Sequence, residues 1–294
     1  MIRNNIYQIL MELMPEFDCL RENQILDASG MDIGWNCTGL LKNNYVLGGG
    51  THSVRQIAKK IAISECLERA TILNLNKDIL LRKEFLLDEY VSTSGFAAGF
   101  DDGSTKMRAL FEGIERWGWS KAIDDKHPME EVTVEIKNLS PIAKTLAKKF
   151  EHIKFLITPI LLEHENNKIN CFFGMSLGFK DNGIFPGSRV AASKIEIWEH
   201  SIVESFRNLI NFEISEKGEI PIHIEEDSIQ KKIDFFGKNA HEGLSQITLG
   251  RSRWPLPVLK IWKKVPTKPE YCVWRAVCFD WTPGEKGPIN RFII

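Results

Sequence analysis

Glu65-Cys66-Leu67-Glu68-Arg69 recurs as Glu112-Gly113-Ile114-Glu115-Arg116, about 47 residues further on. A looser acidic pattern follows at Glu196, Glu199 and Glu204, with Arg207 behind it. Glutamates three apart on a helix share a face, and like charges at that spacing repel. In a partly dry site a cation has to hold them, and Mg²⁺ carrying a nucleotide phosphate is the commonest such cation. The competing reading is three solvated amphipathic helices. The first helix leans toward the functional reading. At about 100° per residue, Glu65 and Glu68 fall in one stripe with Val54, Ala58, Ile61, Ala62 and Ile72, while Ile63, Leu67 and Ala70 lie opposite. A helix apolar on two sides is sandwiched between layers, and carboxylates in an apolar stripe are costly unless paired or metal-bound. For the second helix, periodicity leaves solvent and a cavity wall equally open.

Working outward, the spacing predicts a helix over Asn4–Leu13 and then a loop-rich stretch to Tyr45. The run Gly48-Gly49-Gly50-Thr51-His52-Ser53 reads as a turn that could cradle phosphate, with Ser53 capping the helix that runs to about Asn76. Ser92–Gly99 is a small-residue strand or turn, and a second helix runs from about Thr105 to Ala122. Val132–Leu139, Ile153–Leu162 and Asn170–Phe179 read as strands, with a helix near Pro141–Phe150. Gly187-Ser188-Arg189 leads into a third helix over about Ala191–Ile210, and Val258–Trp262 and Tyr271–Phe279 are extended. Strands separated by long helices without strict βαβ alternation give the α+β class. The expected division is an N-terminal helix and loop-rich extension over 1–45 and a main domain over 46–294.

The 294 residues are 43% hydrophobic and 26% charged, with a formal net charge of −1. No global field draws such a chain to nucleic acid or anionic membrane, and neither is an expected partner. No apolar run is long enough to span a bilayer. The six cysteines contain no C-x-x-C pair and read as reduced thiols in a cytoplasm. Seven histidines show no metal spacing, and neither a G-x-S-x-G elbow nor a nucleotide-binding glycine motif occurs. Cys66, between two glutamates, is a packing residue, and Lys59, Lys60, Lys148 and Lys149 are solvated helix faces.

The order of elements resembles the YcaO family. That family shows a Gly-Lys-Gly turn before a Glu-x-x-Glu-Arg helix, a Ser-x-Asn-Gly-x-Ala-x-Gly-Asn segment, a second Glu-x-x-Glu-Arg helix, a Glu-x-x-Gln helix and a late arginine strand. The corresponding stretches are Gly48–Ser53, Glu65–Arg69, Ser92–Gly99, Glu112–Arg116, Glu204–Arg207 and Val273–Val277, the last placing Arg275. The resemblance implies YcaO-like layers of mixed β-sheet, with long glutamate-bearing helices around an ATP/Mg²⁺ cavity. It implies ATP and Mg²⁺ as cofactors: Glu65, Glu68, Glu112 and Glu115 at the metal, Glu204 and Arg207 beside it, and Arg116 and Arg275 at phosphates. No residue is assigned as catalytic. The implied activity is ATP-dependent activation of a peptide backbone amide, as in an azoline-forming cyclodehydratase or a thioamide- or amidine-forming enzyme. It belongs to peptide natural-product (RiPP, bacteriocin) biosynthesis or protein modification. The partners implied are a substrate peptide or protein and a second protein that binds it; a homodimer stays open.

The sequence departs from that pattern at the nucleotide. The turn lysine is Gly49, a serine is replaced by Ile61, a basic residue by Ser64, the two asparagines by Ser94 and Phe100, and the third-helix glutamine by Arg207. The ending Asn290–Ile294 lacks a Pro-x-Pro-x-Pro tail. Metal-type ligands match better than nucleotide-type ligands. The alternative is therefore a degenerate relative without ATPase activity, scaffolding a peptide in a modification complex.

Overall fold

The computed structural model describes residues 2–26, 29–43, 45–90, 93–164, 167–218, 228–284 and 286–292. The elements run α1 (Ile2–Leu13), β1 (Phe17–Leu26), β2 (Asp32–Leu41), β3 (Val46–His52), α2 (Arg55–Leu75), α3 (Ile79–Glu84), β4 (Phe96–Gly99) and α4 (Asp102–Ile123). They continue with β5 (Glu130–Val132), a 3-10 turn (Ile136–Asn138), α5 (Pro141–Ala147), β6 (His152–His164), β7 (Asn167–Lys180), β8 (Gly183–Ala191) and α6 (Lys194–Glu216). Last come α7 (Ser228–Phe236), α8 (Ala240–Ser245), β9 (Leu259–Val265) and β10 (Cys272–Cys278). Helices and sheets segregate as the α+β class requires. The chain divides into two units: Met1–Gly113 with Ile261–Val277, and Ile114–Lys260 with Cys278–Ile294.

In the first unit, α2 lies between two three-stranded sheets, β1-β2-β3 and β4-β10-β9. Its two apolar sides explain that position. Ala58 and Ala62 pack against Cys37 of β2, while Ile63, Cys66, Leu67 and Ala70 join Phe96, Ala98 and Val273 in the main core, together with Ile9, Leu10 and Phe17. Phe17–Leu26 and Asp32–Leu41, within the stretch expected to be loop-rich, are the antiparallel pair β1–β2. Asp18, Arg21, Asn23, Gln24 and Asp32 are exposed polar positions of these strands, and Gly39 is there for contact rather than turning: a Cβ would sit 2.2 Å from Cys66 Sγ.

The glycine run is likewise not a loop. It is the body of β3, with Gly48, Gly49 and Gly50 paired to Gly39, Thr38 and Cys37. The strand presses directly on α2: a Cβ on Gly48 would meet Cys66 N at 2.8 Å, and one on Gly50 would meet Ala58 O at 2.3 Å. Ser53 does not cap α2. Val54 holds the N-cap position without a side-chain bond, and its N–H donates to His52 Nδ1 at 2.9 Å.

The second unit is built on an antiparallel sheet, β5-β6-β7-β8, with α6 lying on β7 and β8. Close approach again needs glycine, since a Cβ on Gly187 would meet Ser201 O at 2.0 Å. Gly187-Ser188-Arg189, expected to lead into a helix, lies inside β8. The expected strand over Val132–Leu139 stops at Val132 and gives way to the 3-10 turn. The pairings β1–β2, β2–β3, β4–β10, β5–β6, β6–β7 and β7–β8 are all antiparallel. Parallel pairing outside the named strands is one isolated bridge, Met129–Leu249; the mixed sheet implied by the resemblance is not seen in these six pairings.

Candidate functional site

Helix α2 brings Glu65 and Glu68 onto one half-buried face in the first unit, and α4 brings Glu112 toward them. Desolvation pushes the Glu68 carboxyl well above its ordinary 4.5; the charges of Glu112 and Glu65 push it further, and Arg69 and Arg108 oppose them. A cation placed beside it would favour the charged form of the carboxyl. Glu65 is held differently. Its Oε2 accepts the Gly49 N–H at 2.7 Å and its Oε1 accepts Arg69 Nη2 at 2.6 Å. The glycine expected to contact phosphate therefore spends its N–H on a carboxylate.

Arg275, on β10, is fully buried in the same unit. Its Nη2 donates to Tyr90 O at 2.8 Å and its guanidinium lies 4.3 Å from the Phe96 ring centroid. Among the described residues, Nε and Nη1 have no hydrogen-bond partner. Burial brings its pKa down to about 9, so it remains charged at neutral pH. Arg108 escaped the sequence reading. It lies four residues before Glu112 on α4, donates from Nη2 to Ala98 O at 2.8 Å, and acts on Glu68. The spacing from Arg108 to Glu112 is the signal that could have found it.

The second unit holds the other candidates. Glu115 is buried at 4% exposure, and Ser188 Oγ donates to its Oε1 at 2.6 Å while accepting Trp119 Nε1 at 2.7 Å. Ser188, too, went unread, because its strand was taken for a helix lead-in. Arg116 is half-buried on α4. Glu204 pairs with Arg207 at 3.0 Å and with His200 at 3.6 Å. Glu199 is structural: its Oε1 accepts the Ser140 N–H at 2.7 Å, at the start of α5.

Among the described residues, no group of three or more His, Cys, Asp or Glu side chains is arranged to hold a metal ion by itself. Of the stretches that carry the resemblance, Ser92 lies outside the described residues, as do Ile293 and Ile294 of the tail. The six cysteines are free thiols, and Cys66 is pushed up to about 12, first by desolvation and then by Glu65. Among the described residues, no helix is long and apolar enough to cross a membrane.

No family model matches the chain, and no curated protein matches it in sequence. Solved structures do match in fold. An E. coli microcin synthetase, the McbBCD complex with pro-MccB17 bound, aligns with a TM-score of 0.60 at 12% identity, over 90% of this chain and 88% of that one. The fold is YcaO-like. The YcaO from Methanopyrus kandleri, bound with AMPPCP and Mg²⁺, aligns with a TM-score of 0.51 at 11% identity, over 94% of this chain and 89% of that one. A heterocyclase in complex with substrate and cofactor aligns at 0.54 and 11% identity, over 96% of this chain but 52% of that one.

Proposed function

We propose that this chain is an ATP- and Mg²⁺-dependent enzyme that activates peptide backbone amides, working with a protein that binds the substrate peptide. One observation carries the reading: the first unit holds both a carboxyl whose anion is disfavoured and a fully buried arginine. Glu68 is crowded by Glu65 and Glu112, and two nitrogens of the fully buried Arg275 have no partner among the described residues. A magnesium–nucleotide complex supplies an opposite charge for each. The lack of a three-carboxylate cage is compatible with it, because Mg²⁺ usually takes one or two carboxylates plus phosphate oxygens and water.

In this reading Glu68 and Glu112 hold the metal, with Glu65 beside them. Arg275 directs Nε and Nη1 at phosphate oxygens, where charge-assisted bonds are strongest. Bound there, the cofactor supplies charge neutralisation for phosphoryl transfer to an amide oxygen. The resemblance implies Glu115 at the metal and Arg116, Glu204 and Arg207 at the nucleotide; these four belong to the second unit.

A second reading has its own support. Both oxygens of Glu65 are already engaged, and Phe100, where the family has asparagine, is exposed and can neither ligate a metal nor bond a phosphate. These features favour a peptide-binding scaffold without ATPase activity. Phosphate release from about 10 mM ATP separates the two. The enzyme reading expects Mg²⁺-dependent release, cut at least about tenfold by Glu68→Gln and by Glu115→Gln. No release from the wild-type chain is the scaffold's outcome.

A further inference from the structure

In the second unit, β5 is the edge strand of its sheet and only three residues long. Its last pairing sets Val132 opposite Phe155, so the first residues of β6, His152 to Lys154, have a strand partner on the β7 side alone. Beside this open edge lies a cavity of about 480 Å³. Its apolar lining is Ile136, Ala147, Phe150 and Ile153, buried or half-buried. Its charged lining is Lys137, Lys144 and Lys148 against one carboxylate, Glu151, which accepts the Asp181 N–H at 2.9 Å. Lys144 and Lys148 stand four apart at the end of α5, on one face of the helix. Neither makes an ion pair within the described residues, and Lys137 reaches only Glu135, at 3.5 Å with both side chains exposed. His152 closes one side, stacked on Phe179 at 4.2 Å.

We propose that this cavity binds an extended segment of a partner protein in which acidic and apolar residues alternate. The segment adds to the free edge of β6, sets an apolar side chain among Ile136, Ala147, Phe150 and Ile153, and places carboxylates on the three lysines. Three features select this occupant. A sheet edge supplies backbone pairing, with pockets for alternate side chains. The lining is apolar, which a purely polyanionic ligand would not use. The excess charge is positive, which complements acidic residues. Lys148, a solvated helix face by sequence, becomes part of a cavity wall because α5 ends where β5 has stopped. The proposal is independent of nucleotide binding.

The test is fluorescence anisotropy with a labelled nine-residue peptide of alternating glutamate and leucine, titrated with the full chain at low and physiological salt. Binding is expected to weaken with salt and to fall at least about tenfold in the double variant Lys144→Glu/Lys148→Glu. Both lysines are partly or fully exposed, and an unchanged melting temperature confirms the fold. A lysine–leucine peptide should not bind. Equal binding by an oligoglutamate of the same charge would reduce the site to a bare basic patch and overturn the proposal. So would undiminished binding to the double variant, or no binding at about 1 mM chain.

Discussion

At the scale of single residues, Glu68 and Arg275 separate a binding site from a structural network. Glu68 has a raised folded-state pKa, so the folded chain holds its proton more tightly than the unfolded one. Its contribution to stability is complete below about 4.5 and is lost as pH rises toward its folded value. Glu68→Gln should therefore leave stability unchanged in acid and raise the melting temperature by roughly 2 °C or more at neutral pH, as melts across a pH series would read. Wild-type affinity for Mg²⁺–nucleotide should tighten over the same rise in pH, with proton release visible as buffer-dependent heat in calorimetry. Arg275→Met exchanges a buried charge for an apolar side chain of similar reach. Such exchanges are often neutral or stabilising, so its melt without ligand should stay within a few degrees of wild type. A loss of more than about 4 kcal/mol would make Arg275 a structural residue. The carboxylates were legible in the sequence because their motif repeats. Ser188 and Arg108 were not, since contact across a sheet and a lone arginine on a helix leave no repeated pattern.

At the scale of elements, what the sequence concealed was why glycine was used. Gly48-Gly49-Gly50 looked like a phosphate turn before a helix. It is a strand, and its glycines let α2 approach. Prediction can be made position by position. Gly50→Ala drives a Cβ to 2.3 Å from Ala58 O and should cost about 1–3 kcal/mol, the usual range for overpacking. At Gly49 the nearest atom to an added Cβ is Cys37 O, at 3.6 Å. Gly49→Ala keeps the N–H that binds Glu65 and should change stability by less than about 0.5 kcal/mol. Denaturant melts of the two variants give the comparison; equal destabilisation would mean that β3 does not press on α2 as described. The long helices were readable because two apolar stripes on α2 require two covering layers. The β1–β2 hairpin was not, because most of its exposed strand positions are polar and its glycines mimic loop composition. Helices α3, α7 and α8 are 6 to 9 residues long, too short for a decisive periodicity.

At the scale of the whole molecule, the order of strands and long helices gives the class and the solved structures give the fold, while the proposed activity rests on Glu68 and Arg275. The departures at Gly49 and Phe100 remove two contacts, each worth about 1.5–3 kcal/mol when made to a charged group. Binding by the isolated chain should therefore be weak, with Kd on the order of 1 mM. The most direct measurement is the melting temperature of the wild-type chain and of Arg275→Met in about 10 mM Mg²⁺ with a non-hydrolysable ATP analogue. A ligand at about ten times its Kd stabilises by about 1.4 kcal/mol, which predicts a rise of roughly 2–4 °C for wild type. That rise should vanish without Mg²⁺ and vanish in Arg275→Met. A wild-type melt unmoved by the complex, or an equal rise in Arg275→Met, would contradict the account.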